Sequence, residues 1–296
     1  MQNPLTGKER YELEKLVEQK RDMFQLGMGA LGDGILQLVA KLDIGMLYLP
    51  KEPGTHEEPL SAMYLSSKEK EGNILSFIGV NTAQYYDTQL FAIAHELYHH
   101  WEETEDLYLC RNMEEAKGLR ERKANQFAAS FLLPSKTLKE AILEKNNYEL
   151  SVDNWNLSAL LRFIARLHLD YKTPYKSIVR RLVEVEALTD QALYQTLWSQ
   201  DVRNETSLYY KIAMSYDADV FTLLNKKTHK MGADARLLEH MLQNYESAII
   251  GLDELAEDLS LFGKQLNEYG LEEELEQGLM EDMLREIEEG EADDED

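Results

Sequence analysis

Residues 82–103 read TAQYYDTQLFAIAHELYHHWEE, and this stretch decides how the chain is read. It holds neither proline nor glycine, and its apolar residues cover much of a helical circumference, which predicts a helix central to its domain. Within it, AHELYHH sets His95, Glu96 and His99 in HExxH spacing. On a helix, His95 and His99 stand one turn apart on one face, so both imidazoles can reach a single zinc ion (Zn2+). Glu96 lies about 100° further round, within reach of a zinc-bound water, where it can act as general base.

The surroundings suit such a helix. Thr6 and Glu9 have capping-box spacing, followed by Leu13, Leu16, Val17 and Met23 at helical intervals. A second apolar helix is expected over 35–42, ending near Asp43. IGMLYLP (44–50), AMYLSS (62–67) and NILSFIGVN (73–81) read as strands, with a proline-rich excursion at 50–59. After a polar break at 104–112, a further helix is expected from Glu114 to Leu133, stopped by Pro134. The fold class is therefore α+β: a small sheet packed on two central helices, followed by a mostly α-helical C-terminal region.

Zinc needs a third protein ligand, and WEETEDLYLC after the motif supplies no further Gly and His pair. No histidine occurs between His100 and His168, which leaves a carboxylate: Glu114, Glu115 or Glu121. Glu121 leads directly into the apolar FAASFLL run, whereas the other two sit at the start of the helix. A carboxylate kept beside an apolar core needs a cation partner.

The succession of a GVN strand, FAIAHELYHH and ERKANQFAASFLLP resembles the ImmA/IrrE family of zinc metallo-endopeptidases. Residues 121–134 follow the family's E-x-x-A-N-x-F-A-A-x-L-L-x-P pattern almost position for position. The likeness spans about residues 28–190, with its specific motifs confined to 78–134. It implies a minimal gluzincin-like fold with His95, His99 and Glu121 as zinc ligands and Glu96 as catalytic base. Tyr98 departs from the family, which commonly has a small residue before the second histidine; it either narrows the cleft or offers a hydroxyl to the oxyanion. His100 is a spare imidazole turned elsewhere. Asn125 is read as a helix-packing anchor more than a substrate contact. Tyr85 and Tyr86 are read as core aromatics, and His56, His168, His229 and His240 as residues without ligand spacing.

Four segments are expected: a zinc peptidase domain (1–150), a helix-turn-helix-like module (151–190), a helical C-terminal region (191–270) and an acidic, partly disordered tail (271–296). Within the module, Arg162, Arg166, Lys172, Lys176, Arg180 and Arg181 form a basic patch, with Thr173 and Pro174 capping its second helix. Leu237, Leu238, Met241, Leu242, Tyr245 and Ile249 follow at heptad-like steps as core positions.

Charge narrows the function. The 296 residues carry 31 Lys and Arg against 55 Asp and Glu, a net of −24, which disfavours nonspecific binding to nucleic acid or anionic lipid. More than half of that excess sits in the tail. No apolar run is long enough to span a membrane, the first residues lack the apolar core of a secretory signal, and Cys110 is the single cysteine, so a cytoplasmic protein is expected. The leading expectation is a zinc-dependent endopeptidase that cuts a specific intracellular protein, which the family resemblance implies is a helix-turn-helix repressor. The alternative is a non-catalytic regulatory or antitoxin-type binding protein on a peptidase-like scaffold. DNA binding through the basic patch is the weakest reading.

Overall fold

The computed structural model describes residues 5–52, 60–68, 74–103 and 113–271. His56, Cys110 and the tail beyond residue 271 lie outside them, as do the side chains of Glu114 and Glu115. The chain divides into two compact units, residues 1–230 and 231–296.

The first unit opens with α1 (Gly7–Met23), and the expected capping box is formed: Thr6 Oγ1 accepts from Glu9 N, and Glu9 accepts from Thr6 N. Helix α2 (Gly34–Lys41) ends before Asp43, and β1 (Ile44–Leu49), β2 (Ala62–Lys68) and β3 (Ile74–Asn81) follow. Strand β1 runs parallel to β3, with Met46 opposite Ile78. Strand β2 runs antiparallel to β3, with Tyr64 opposite Ile78, and forms one edge of this mixed sheet. Gly45 is opposite Phe77, whose ring lies where a Cβ would stand, 2.6 Å away. A larger residue there would force the ring off the sheet.

One buried residue ties the strand ends together. Asn81 Nδ2 donates to the carbonyls of Lys51 and Leu60, while Asn81 Oδ1 accepts from the backbone of Lys51 and Ala83. All its hydrogen-bonding capacity is used, which offsets the cost of burying an amide. The knot sets where β2 begins and where the chain leaves β3.

Helix α3 spans Tyr86–Glu103 and α4 spans Met113–Leu132, the two central helices anticipated from the sequence. Residues 82–85 form a turn rather than the first helical turn, because the strand must end and reverse there. Between the helices Trp101, Phe127 and Phe131 interleave, with Phe127 stacked on Phe131 at 5.2 Å. Arg21, fully buried, donates to the carbonyls of Gly27, Gly29 and Phe131 and so ties α1 to the end of α4.

A second core of the same unit is built by α5 (Ser135–Lys145), α6 (Leu157–Tyr171), α7 (Tyr175–Glu184), α8 (Gln191–Trp198), α9 (Leu208–Tyr216) and α10 (Ala218–Leu224). The cap expected before α7 differs: Pro174 itself is the N-cap, and Thr173 Oγ1 is buried without a hydrogen-bond partner. The second unit holds α11 (Ala235–Glu246) and α12 (Leu252–Leu261), joined by Leu238, Met241, Leu242 and Tyr245 packing on Leu255 and Leu259. Ile249, expected among these, is 69% exposed because Ala248 takes a left-handed turn just after α11.

Candidate metal centre

Helix α3 projects His95 and His99 from one face, and α4 brings Glu121 across to them. The two Nε2 atoms stand 3.2 Å apart, with Glu121 Oε2 3.1 Å from His95 Nε2 and Oε1 3.7 Å from His99 Nε2. One ligand atom from each residue can be chosen so that all three lie within 4.8 Å of one another. The edge of a tetrahedron with bonds of about 2.0–2.1 Å is roughly 3.3 Å, so the spacing suits a zinc-sized ion.

The contact behind His95 suits a cation as well. Asn125 Oδ1 lies 3.1 Å from His95 Nδ1. An amide oxygen can only accept, so this contact favours the tautomer with its hydrogen on Nδ1, which leaves Nε2 available as a ligand atom. At 3.1 Å the His95 Nε2 and Glu121 Oε2 atoms are close enough to share a proton or a cation. His99 is pushed down to about 4, first by burial and then by the neighbouring His95 ring and Arg120, with Glu121 opposing. It is therefore neutral near pH 7 and free to ligate.

Glu96 is buried beside the ligands, with 7% of its surface exposed. Its carboxyl is pushed up to about 7, first by burial and then by the charge of Glu121, while a backbone hydrogen bond from Tyr64 on β2 pulls it back. A carboxyl poised there can take and return a proton near neutral pH.

Around this centre runs a groove of about 2020 Å³ lined by Met63 and Tyr64 of β2, Phe91, His95, Glu96 and His99 of α3, and Glu121 and Asn125 of α4, and it reaches α7 and α8. Asn125, expected to anchor helix packing, is instead exposed in this groove with its Oδ1 against His95 Nδ1. Tyr98 is buried behind the ligands against Phe127, with its hydroxyl donated to Glu102 at 3.2 Å, so it neither narrows the groove nor faces it. His100 Nδ1 meets the Tyr64 hydroxyl at 3.0 Å, which in turn meets Ser76. Tyr86 donates to Asp33, and Tyr85 lies under the Arg203 guanidinium at 4.2 Å; both serve packing.

The six expected patch cations do not share one surface. Arg181 is buried and bound to Glu184 and Glu14, and Lys172 pairs with Asp33. Arg162 lines a separate recess with Lys145 and Trp155, and Arg166 is exposed on α6. Lys176 and Arg180 line the groove of the candidate centre.

One network escaped sequence reasoning. At the first turn of α3, fully buried Asp87 contacts His168 Nε2 at 3.0 Å and accepts from Arg203 at 2.6 and 2.8 Å, while His168 Nδ1 meets the Tyr209 hydroxyl at 2.9 Å. Burial alone would raise the Asp87 carboxyl, but His168 and Arg203 together hold it below its usual value. The network fixes the start of the ligand-bearing helix against α6 and α9.

An HExxH helix paired with a carboxylate from the next helix is an arrangement that could hold a metal ion, as in metal-dependent peptidases. Residues 54–182 match the family model described as Peptidase_M78, IrrE N-terminal-like domain. The match supports ImmA/IrrE family membership for this part of the chain. A solved structure described as a Mycobacterium tuberculosis transcriptional regulator is similar at 17% identity over 58% of this chain, with a TM-score of 0.38. The chain spans 46% of that protein's length. No curated protein matches the chain. Among the described residues no helix is long and apolar enough to cross a membrane.

Proposed function

We propose that the protein is a zinc-dependent endopeptidase acting on an intracellular helix-turn-helix repressor. The observation that carries the reading is the convergence of two imidazole nitrogens and a carboxylate beside the buried Glu96 carboxyl. A zinc ion bound by His95, His99 and Glu121 supplies Lewis-acid polarisation to the reacting groups. Glu96 takes a proton from the attacking water and later returns it to the leaving amine. Asn125 holds the His95 ring in its ligating tautomer. The edge strand β2 lets an extended substrate backbone add to the sheet and lie across the centre. Family membership supports a regulator protein as the substrate, since the family's peptidases act on transcription factors.

The test is incubation of the zinc-loaded protein with helix-turn-helix repressors of the same genome, followed by mass spectrometry. Two fragments from one internal cut are expected. Intact repressors beside fully zinc-loaded protein would favour the non-catalytic binding role instead.

A further inference from the structure

We infer that Lys176 and Arg180 on α7, backed by Trp198 of α8, form a recognition site for an acidic stretch of the polypeptide that enters the metal-centre groove. The inference rests on reading that groove as a substrate cleft, and it names the chemistry of what the cleft selects.

The site is continuous with the centre. Asn125 touches His95, and its neighbour Gln126 donates to Glu184 of α7 at 2.8 Å, so α7 lies against the ligand-bearing α4. Lys176, Arg180, Tyr194 and Trp198 line the same groove as His95, Glu96 and Glu121. Lys176 Nζ lies 5.1 Å and the Arg180 guanidinium 4.9 Å from the centre of the Trp198 ring, which Tyr194 stacks against at 5.6 Å.

Two like charges four residues apart on a helix repel. Elsewhere in this acidic chain, cations such as Arg181, Lys172 and Arg203 are each paired with a carboxylate. Among the described residues neither Lys176 nor Arg180 has a carboxylate within ion-pairing distance, and both are exposed. Stacking on Trp198 holds both heads in place, which lowers the ordering cost of binding an anion. Between them in sequence, Ser177 lines the groove with its hydroxyl buried and without a hydrogen-bond partner.

The occupant is an acidic peptide segment rather than nucleic acid. Glu184, Glu186 and Asp190 line the same groove, and the chain's net charge of −24 repels an extended phosphate backbone. Two or three side-chain carboxylates in a peptide match the site without meeting those acids along its whole length.

The test uses the full zinc-loaded chain carrying Glu96→Gln, so that bound peptide stays intact. Two end-blocked alanine-based peptides, differing only in a short run of glutamates or of glutamines, are titrated while tryptophan fluorescence is followed. About ten-fold tighter binding of the glutamate peptide is expected, lost when Lys176→Gln and Arg180→Gln are combined and reversed in favour of a lysine peptide by Lys176→Glu with Arg180→Glu. Equal binding of the two peptides, an unchanged preference in the variants, or tighter binding of oligothymidylate would overturn the site. Failure of the wild type to cut any protein would count against the peptidase reading alone, because this readout is binding.

Discussion

Asn125 of α4 reaches across to His95 of α3, its Oδ1 3.1 Å from Nδ1, a contact that favours the tautomer whose Nε2 is available to a metal. The partner behind a metal ligand typically governs affinity by about 10–100-fold. Asn125→Ala should therefore weaken zinc binding by that factor in a chelator competition, while Asn125→Asp, which keeps an acceptor oxygen, should retain most of it. Equal affinity in the alanine variant would show that Asn125 does not orient the ligand.

Metal loading should be visible in stability. A ligand present at a thousand times its Kd stabilises the folded state by about 4 kcal/mol, or roughly 10 °C in Tm for a unit of this size. Glu121→Gln should remove most of that rise. Without zinc the same substitution should leave Tm nearly level, because the Glu121 side chain is 47% exposed and its local interactions are screened by solvent. Calorimetry with and without zinc separates the two cases, and a rise undiminished in Glu121→Gln would remove Glu121 from the ligand set.

The Asp87 network makes a pH-dependent prediction. Because the Asp87 carboxyl titrates lower in the folded protein than its ordinary value near 3.8, its contribution is present above that value and is lost as pH falls through the folded one. Asp87→Asn, which strips a buried partner from Arg203 and His168, should cost on the order of 3–5 kcal/mol near neutrality. In urea unfolding the gap between wild type and variant should narrow below about pH 4. A gap constant with pH would contradict the assignment.

Arg21 offers a check on the fold itself. It is fully buried with donors on three carbonyls of two segments. Arg21→Met keeps most of the volume but leaves those carbonyls unpaired, and should cost on the order of 3 kcal/mol in denaturant unfolding. A loss below about 1 kcal/mol would mean that water replaces the guanidinium freely.

How much of this was legible beforehand follows from the range of the interactions. The HExxH pair and the 121–134 helix were readable because helix geometry converts local spacing into a shared face. Most strand and helix limits held for the same local reason, while the start of α3 came four residues later than its apolar pattern suggested because the chain first leaves β3. The Asp87–His168–Tyr209 network was not, since its members lie 81 and 41 residues apart and each looks ordinary alone. Asn81 hid its role likewise, as an asparagine at a strand end usually signals a turn. The basic patch was misjudged because Arg180 and Arg181 are indistinguishable in sequence. One residue of helix turns the side chain by about 100°, which sends Arg181 into the core and Arg180 into the groove.

The most direct measurement is the rate at which zinc-loaded wild type and zinc-loaded Glu96→Gln cut the same repressor, with metal content determined on both samples. The account predicts equal zinc and a fall in rate of about 10²–10⁴-fold, the usual share of a positioned general base. Equal zinc with an undiminished rate would contradict it.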